Sequence, residues 1–172
     1  MFGSISEEME VNVGASEAWT VYGTLRLAEI VSQQLSDVVH KIDVLEGDGG
    51  AGTVLLLTFQ PDPSGGSSPW HKEKFTVVDN EKLTKQVEVI EGGYLEKGLD
   101  LFRIKLEIFE KQRPQADTDS SCITKVTVEF ETKDYAAANL AVTGFQVFVT
   151  IMKCANDYLT KNNSKQVLLP TA

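Results

Sequence analysis

An α+β fold, in which a curved antiparallel sheet wraps one long carboxy-terminal helix, is what this sequence predicts. Three observations carry the prediction. Six strand-like runs crowd residues 38–133 with only glycine-rich or polar turns between them, a lone strand and two short helices precede them, and helical periodicity returns after residue 136. Turns that short leave no room for crossover helices, so neighbouring strands pair antiparallel, as hairpins do. A sheet bent around a helix about 10–12 Å across can leave an internal space beside it, suited to small apolar ligands.

The first strand is read over Ile5–Val13, where Met9, Val11 and Val13 alternate with the period of a half-buried strand. Ser16 is the expected cap of a short helix holding Trp19, Val21 and Tyr22, which Gly23 ends. A second short helix covers Leu25–Gln34. The strand-like runs follow as Val38–Glu46, Thr53–Gln60, His71–Val78, Leu83–Ile90, Gly98–Phe109 and Ser121–Lys133. From Ala136 to Lys161, the residues Phe145, Phe148, Met152, Ala155 and Leu159 recur at steps of three and four, the apolar stripe of a long helix. Asn162–Ala172 has no periodicity and is expected to be a flexible tail, leaving a single domain over residues 1–161. The Gly- and Ser-rich loop Pro61–Pro69 is expected to be flexible too.

The 172 residues are 42% hydrophobic and 24% charged, which is globular composition and excludes a disordered or collagen-like chain. Twenty-five acidic against sixteen basic residues give a net charge of -9, so no nucleic-acid partner is expected, because phosphate binding needs clustered cations. The first residues lack the basic and apolar regions of a signal peptide, and no run of eighteen apolar residues occurs, so a cytoplasmic protein without a membrane partner is expected. Cys122 and Cys154 lie far apart and form no CxxC, and the histidines are only His40 and His71, so two reduced thiols and no metal site are expected. His40, in phase with Ile42 and Val44, reads as a histidine in the wall of the core.

Gly47-Asp48-Gly49-Gly50-Ala51-Gly52 spells GxGxxG after a strand. The dinucleotide fingerprint needs a helix to open directly after the glycines, whereas the β-branched and apolar run from Thr53 to Phe59 follows here, so a hairpin turn is expected. The more informative signal is charge on an inward face. Alternation on His71–Val78 groups His71, Glu73, Phe75 and Val77, and alternation on Leu83–Ile90 groups Leu83, Lys85, Val87 and Val89. The apolar members mark the inner side, so Glu73, His71 and Lys85 point inward. On Gly98–Phe109 the inner set is Phe102, Ile104, Leu106 and Ile108, with Asp100 near the end. An inward lysine and glutamate cost several kcal/mol each unless paired. Two reasons for them stay open: a partly wet salt bridge near a cavity mouth, and acid–base chemistry by groups whose proton affinities burial has moved.

Three strings then matter: Val44-Leu45-Glu46-Gly47-Asp48-Gly49-Gly50-Ala51-Gly52-Thr53, Lys72-Glu73-Lys74-Phe75-Thr76-Val77-Val78-Asp79-Asn80-Glu81, and Ile90-Glu91-Gly92-Gly93-Tyr94-Leu95. They closely resemble the norcoclaurine synthases of plants, in the pathogenesis-related class 10 group with its Bet v 1-like helix-grip fold. The likeness runs from about Ile5 to Leu159. It implies a seven-stranded curved antiparallel sheet around a long carboxy-terminal helix, two short helices and an internal hydrophobic cavity. It also implies a cofactor-independent Pictet–Spengler condensation of dopamine with 4-hydroxyphenylacetaldehyde.

By that resemblance Glu73 is the principal base and Lys85 assists proton transfer and carbonyl activation. The family's tyrosine two residues before the glutamate is His71 here, and the aspartate opposite is Ile104. Ile104 can neither take a proton nor hold an ammonium, and His71, unlike a phenol, exchanges protons near neutral pH. Two functions follow. One is an enzyme in which Lys85, Glu73 and His71 act on an amine, carbonyl or alkaloid-type plant metabolite. The other is a non-catalytic carrier or hormone sensor for hydrophobic metabolites in plant defence. In either, Phe75, Val87, Tyr94, Phe102, Ile104, Phe148 and Met152 are expected to contact a small hydrophobic or aromatic metabolite, in a monomer or weak dimer without a cofactor.

Overall fold

The computed structural model describes residues 1–111 and 120–167. Strands β1 (Phe2–Val11), β2 (Val39–Glu46), β3 (Val54–Phe59), β4 (Trp70–Asp79), β5 (Thr84–Gly92), β6 (Leu99–Glu110) and β7 (Cys122–Thr132) form one antiparallel seven-stranded sheet. Its order is β1-β7-β6-β5-β4-β3-β2, a meander from β2 to β7 with β1 added beside β7, as the turn spacing predicts. Helices α1 (Ala15–Tyr22) and α2 (Arg26–Gln34) join the two edge strands, and α3 (Tyr135–Val167) lies against the sheet. α1 packs on β6 and α3, while α2 packs on α3 and β2.

Register shifts interrupt the β2–β3, β4–β5 and β6–β7 pairings, and such bulges bend a sheet and strengthen its twist. They also overturn parts of the alternation. The irregularity between Phe75 and Val77 turns Val77 outward, where it is exposed, and the one between Leu99 and Leu101 buries Leu99 and leaves Asp100 on the outside. The shift between Val39 and Lys41 puts His40 in solvent instead of the wall. Within each run that no extra residue interrupts, the rule holds: Val87, Val89, Ile104, Leu106, Val126, Val128 and Phe130 are buried.

Helix boundaries moved for local reasons. Gly14, not Ser16, stands at the N-cap of α1, without a side-chain bond, and Ser16 lies inside the helix. β1 begins at Phe2 because the chain before Ile5 pairs with β7 through Phe2↔Glu131 and Gly3↔Phe130, although serines and glutamates blur its alternation. α3 does not stop at Lys161: it continues to Val167, with Asn163 Nδ2 donating to the Asn12 carbonyl at 3.3 Å. The remainder of the expected tail, residues 168–172, lies outside the described residues. α3 is long and apolar enough to cross a membrane by length and composition. Its stripe of Phe145, Met152, Ala155 and Leu159 is instead buried in the core.

Candidate active site

Between the concave face of the sheet and α3 is a cavity of about 410 Å³, within the range that holds small molecules. β4 and β5 supply its titratable side chains. His71 and Lys85 are buried and Glu73 is half-buried, so all three point inward as the alternation predicts.

Their partners differ from a lysine–glutamate salt bridge. Glu73 is paired with His71: facing a carboxylate, His71 Nε2–H donates to Glu73 Oε2 at 3.2 Å. The His71 ring is held edge-on by Phe59, with centroids 5.0 Å apart. On its other side passes a 3₁₀ turn, Gly93–Lys97, at a residue where only glycine fits. Gly93 has φ +57°, and a Cβ there would lie 2.8 Å from the Cβ of His71.

Lys85 makes no hydrogen bond or ion pair among the described residues. Its Nζ sits 3.8 Å from the centroid of the Phe75 ring, a cation–π contact. Burial pushes its ammonium down to about 8, and the negative charge of Glu73 opposes a deeper fall. Across β6 the residues in register with Lys85 and Val87 are Leu106 and Ile104, so no carboxylate faces the lysine from that strand. The fold thus leaves this buried cation with one aromatic ring and a nearby carboxylate, which satisfy it only in part.

Phe75, Val87, Tyr94, Ile104, Phe148 and Met152 line the cavity. Phe102 does not: it is fully buried behind Tyr94, stacking on that ring at 4.2 Å and lying 5.8 Å from Phe148. The Tyr94 hydroxyl abuts Gly144 of α3 so closely that a Cβ at that position would fall 2.0 Å from it. Burial raises the proton affinity of the Tyr94 phenol.

Sequence reasoning missed much of the wall. Leu55, Leu57 and Phe59 of β3 line it, and their alternation was visible. Tyr22 and Leu27 line it from α1 and α2, for which no local signal exists. The mouth is bordered by residues of the expected flexible loop, among them Pro61, Asp62 and Ser67. Asp62 organises that loop by accepting hydrogen bonds from the backbone and hydroxyl groups of Ser64 and Ser67, at 2.6–2.9 Å, which hold its carboxyl well below the usual range. The glycine run is a turn between β2 and β3: buried Thr53 accepts from Gly49 N–H at 2.9 Å and donates to the Gly50 carbonyl at 2.7 Å. Among the described residues no three His, Cys, Asp or Glu side chains gather where a metal ion could be held.

A curved sheet closed on a helix around an apolar cavity, with a few polar groups aimed into it, defines a small-molecule-cavity protein. Residues 1–162 match the pathogenesis-related protein Bet v 1 family, and the chain belongs to it. It is 38% identical to the norbelladine synthase of Narcissus pseudonarcissus over 95% of this chain and 96% of that one. It is 36% identical to S-norcoclaurine synthase 2 of Papaver somniferum over 80% of this chain, an alignment that spans 56% of the poppy protein. Among solved structures, it superposes on norcoclaurine synthase from Thalictrum flavum in complex with dopamine and hydroxybenzaldehyde with a TM-score of 0.77. That match covers 94% of this chain and 88% of the other at 29% identity.

Proposed function

We propose that this chain catalyses condensation of an aromatic amine with an aromatic aldehyde by acid–base chemistry inside its cavity. The observation that carries the reading is the meeting of the His71–Glu73 hydrogen-bonded pair and the sparsely partnered Lys85 on one apolar wall. Lys85 donates to the carbonyl oxygen, which makes the carbon more electrophilic. Glu73, oriented by His71, takes the proton that the attacking amine must lose. The apolar wall excludes water and favours the dehydration that completes an imine. Relatives named norbelladine synthase and S-norcoclaurine synthase support the reaction class.

The substrate pair is set by what Ile104 lacks. An amine held as an ammonium needs a second carboxylate, and Ile104 supplies none, so dopamine with 4-hydroxyphenylacetaldehyde should give little norcoclaurine. The measurement is chiral chromatography of the product, across a panel of aromatic aldehydes with dopamine as amine. Ile104→Asp combined with His71→Tyr should raise norcoclaurine formation, by a factor on the order of ten or more. Robust enantioselective norcoclaurine formation by the parent protein would show that Glu73 and Lys85 suffice.

The same loss at Ile104 favours a second reading, a carrier of hydrophobic plant metabolites. Saturable binding of an apolar fluorescent probe with no condensation above the buffer rate, for any aldehyde in the panel, would select the carrier. Absence of saturable binding would remove both readings.

A further inference from the structure

Proton donation is not the only chemistry open to the buried lysine: we infer that the Lys85 amine forms a covalent imine with an aromatic aldehyde in the cavity and transfers it to the incoming amine. This inference deepens the proposed condensation and rests on it. A lysine that serves as a nucleophile must be reachable by the aldehyde, free of hydrogen bonds that would hold its lone pair or its protons, and close to groups that move protons. Lys85 meets each requirement.

It is only 3% exposed, and its side chain lines the cavity, so an aldehyde reaches it through the ligand space. Its Nζ faces the Phe75 ring and has no hydrogen bond or ion pair among the described residues. Lys41, Lys72, Lys105 and Lys111, by contrast, pair with carboxylates on the surface. The side chains that meet Lys85 across β6, Leu106 and Ile104, are apolar, as are Phe148 and Met152 of α3 on the far side of the cavity. The charge that acts on it is that of Glu73 of β4, which His71 hydrogen-bonds, and the phenols of Tyr22 and Tyr94 line the same cavity. Burial, which lowers the Lys85 ammonium to about 8, gives it a share of neutral amine at neutral pH roughly a hundredfold larger than a surface lysine has.

The step balances without a redox partner. The neutral Lys85 nitrogen attacks the carbonyl carbon, a C–N bond forms, and one proton passes from that nitrogen to the oxygen to give a neutral carbinolamine. Glu73 then takes the remaining proton of the nitrogen and returns one to the hydroxyl, the C–O bond breaks, water leaves, and a C=N bond remains. A free amine adds to the imine carbon and one proton shifts from the new nitrogen to that of Lys85, giving a carbon that holds both amines. Glu73 then takes the second proton of the new nitrogen and returns one to the Lys85 nitrogen, the C–N bond to Lys85 breaks, and Lys85 departs as the neutral amine. The net change is aldehyde plus amine to imine plus water.

The test uses the full chain, 4-hydroxybenzaldehyde as probe and borohydride to reduce any imine to a stable secondary amine. Intact mass and peptide mapping then locate the hydroxybenzyl group. A single saturable adduct on Lys85, formed at least about tenfold faster than on any other lysine and suppressed by excess 4-hydroxybenzyl alcohol, is the expected result. Label spread over surface lysines with Lys85 spared overturns the inference. If that protein still binds the probe saturably and Lys85→Met still abolishes condensation, the lysine is an acid only and the proposed function stands. Failure of the probe to bind at all removes both. Lys85→Arg keeps the cation without an imine-forming amine, so condensation that survives in Lys85→Arg also overturns the covalent role.

Discussion

Where α1 meets α3, the Tyr22 hydroxyl donates to Asn156 Oδ1 at 2.8 Å, Asn156 Nδ2 donates to Thr124 Oγ1 at 3.0 Å, and Thr124 Oγ1 donates to the Met9 carbonyl at 3.3 Å. This buried polar chain ties two helices to β7 and β1, and each member has its partner. On the β4–β5 wall, His71 and Glu73 satisfy one another, yet Lys85 is left with an aromatic ring. Both places bury polar groups at similar depth. The difference is satisfaction: the first uses its hydrogen bonds to hold the fold together, and the second leaves a buried charge without a hydrogen-bond partner among the described residues. Substitutions at the two places should therefore move stability in opposite directions.

The largest effect expected is on rate. If the proposed condensation is the function, Lys85→Met and Glu73→Gln should each lower its kcat/KM by about 10²–10⁴-fold, while ligand affinity changes by less than about tenfold. Steady-state kinetics beside probe titration checks it, and a variant with near-parental turnover would clear that residue of the acid–base role. Next comes stability at Lys85 itself. Its folded proton affinity is lowered, so between about pH 8 and the unfolded value near 10.5 the unfolded chain binds more protons, and stability rises with pH across that window. Below it the folded state carries a penalty of roughly 3 kcal/mol, so Lys85→Met should be more stable than the parent by about 2–3 kcal/mol at pH 7. Urea unfolding at two pH values would show the gain shrinking as pH nears about 10.

At the satisfied place the sign reverses. Asn156→Ala removes one bond each from the Tyr22 hydroxyl and Thr124, leaving them only the longer contacts to the Met152 and Met9 carbonyls at 3.3 Å, and should cost about 2 kcal/mol, with little pH dependence. Tyr22→Phe removes one hydroxyl and leaves a single unsatisfied carbonyl oxygen, for a loss of about 1 kcal/mol in the same measurement. Were Asn156→Ala neutral and Lys85→Met destabilising, the contrast between the two places would be wrong.

The inward set on β4 and β5 was legible from alternation because the extra residue of β4, Thr76, follows His71 and Glu73, and that of β5, Ile90, follows Lys85 and Val87, so neither interrupts the run. Val77, Asp100 and His40 were misplaced because one inserted residue reverses every side chain beyond it, and nothing local marks the insertion. The partner of Glu73 was illegible for another reason. Parity says that a side chain points inward, not which neighbour it reaches, so it does not distinguish Lys85 on the adjacent strand from His71 on the same strand, which is the one in contact with Glu73. The Tyr22–Asn156–Thr124 chain joins residues as far as 134 apart in sequence, with no pattern connecting them. Phe102 was assigned to the wall because it is inward and aromatic. The 3₁₀ turn that slides Tyr94 over it is short and glycine-bounded, and leaves no periodic trace.

Gly144 sits inside a helix, where glycine costs about 1 kcal/mol relative to alanine. The helix tolerates that loss at a dent into which the Tyr94 hydroxyl is seated. Fill the dent with a methyl group and the phenol has to swing away from the helix, carrying its ring toward the space that a ligand would occupy. One nucleotide change at this codon thus resizes the interior without touching a titratable side chain. Descendants of one ancestor could reshape the cavity at that position while His71, Glu73 and Lys85 stayed in place, so that the shape of the interior and the charge on its wall evolve along separate axes.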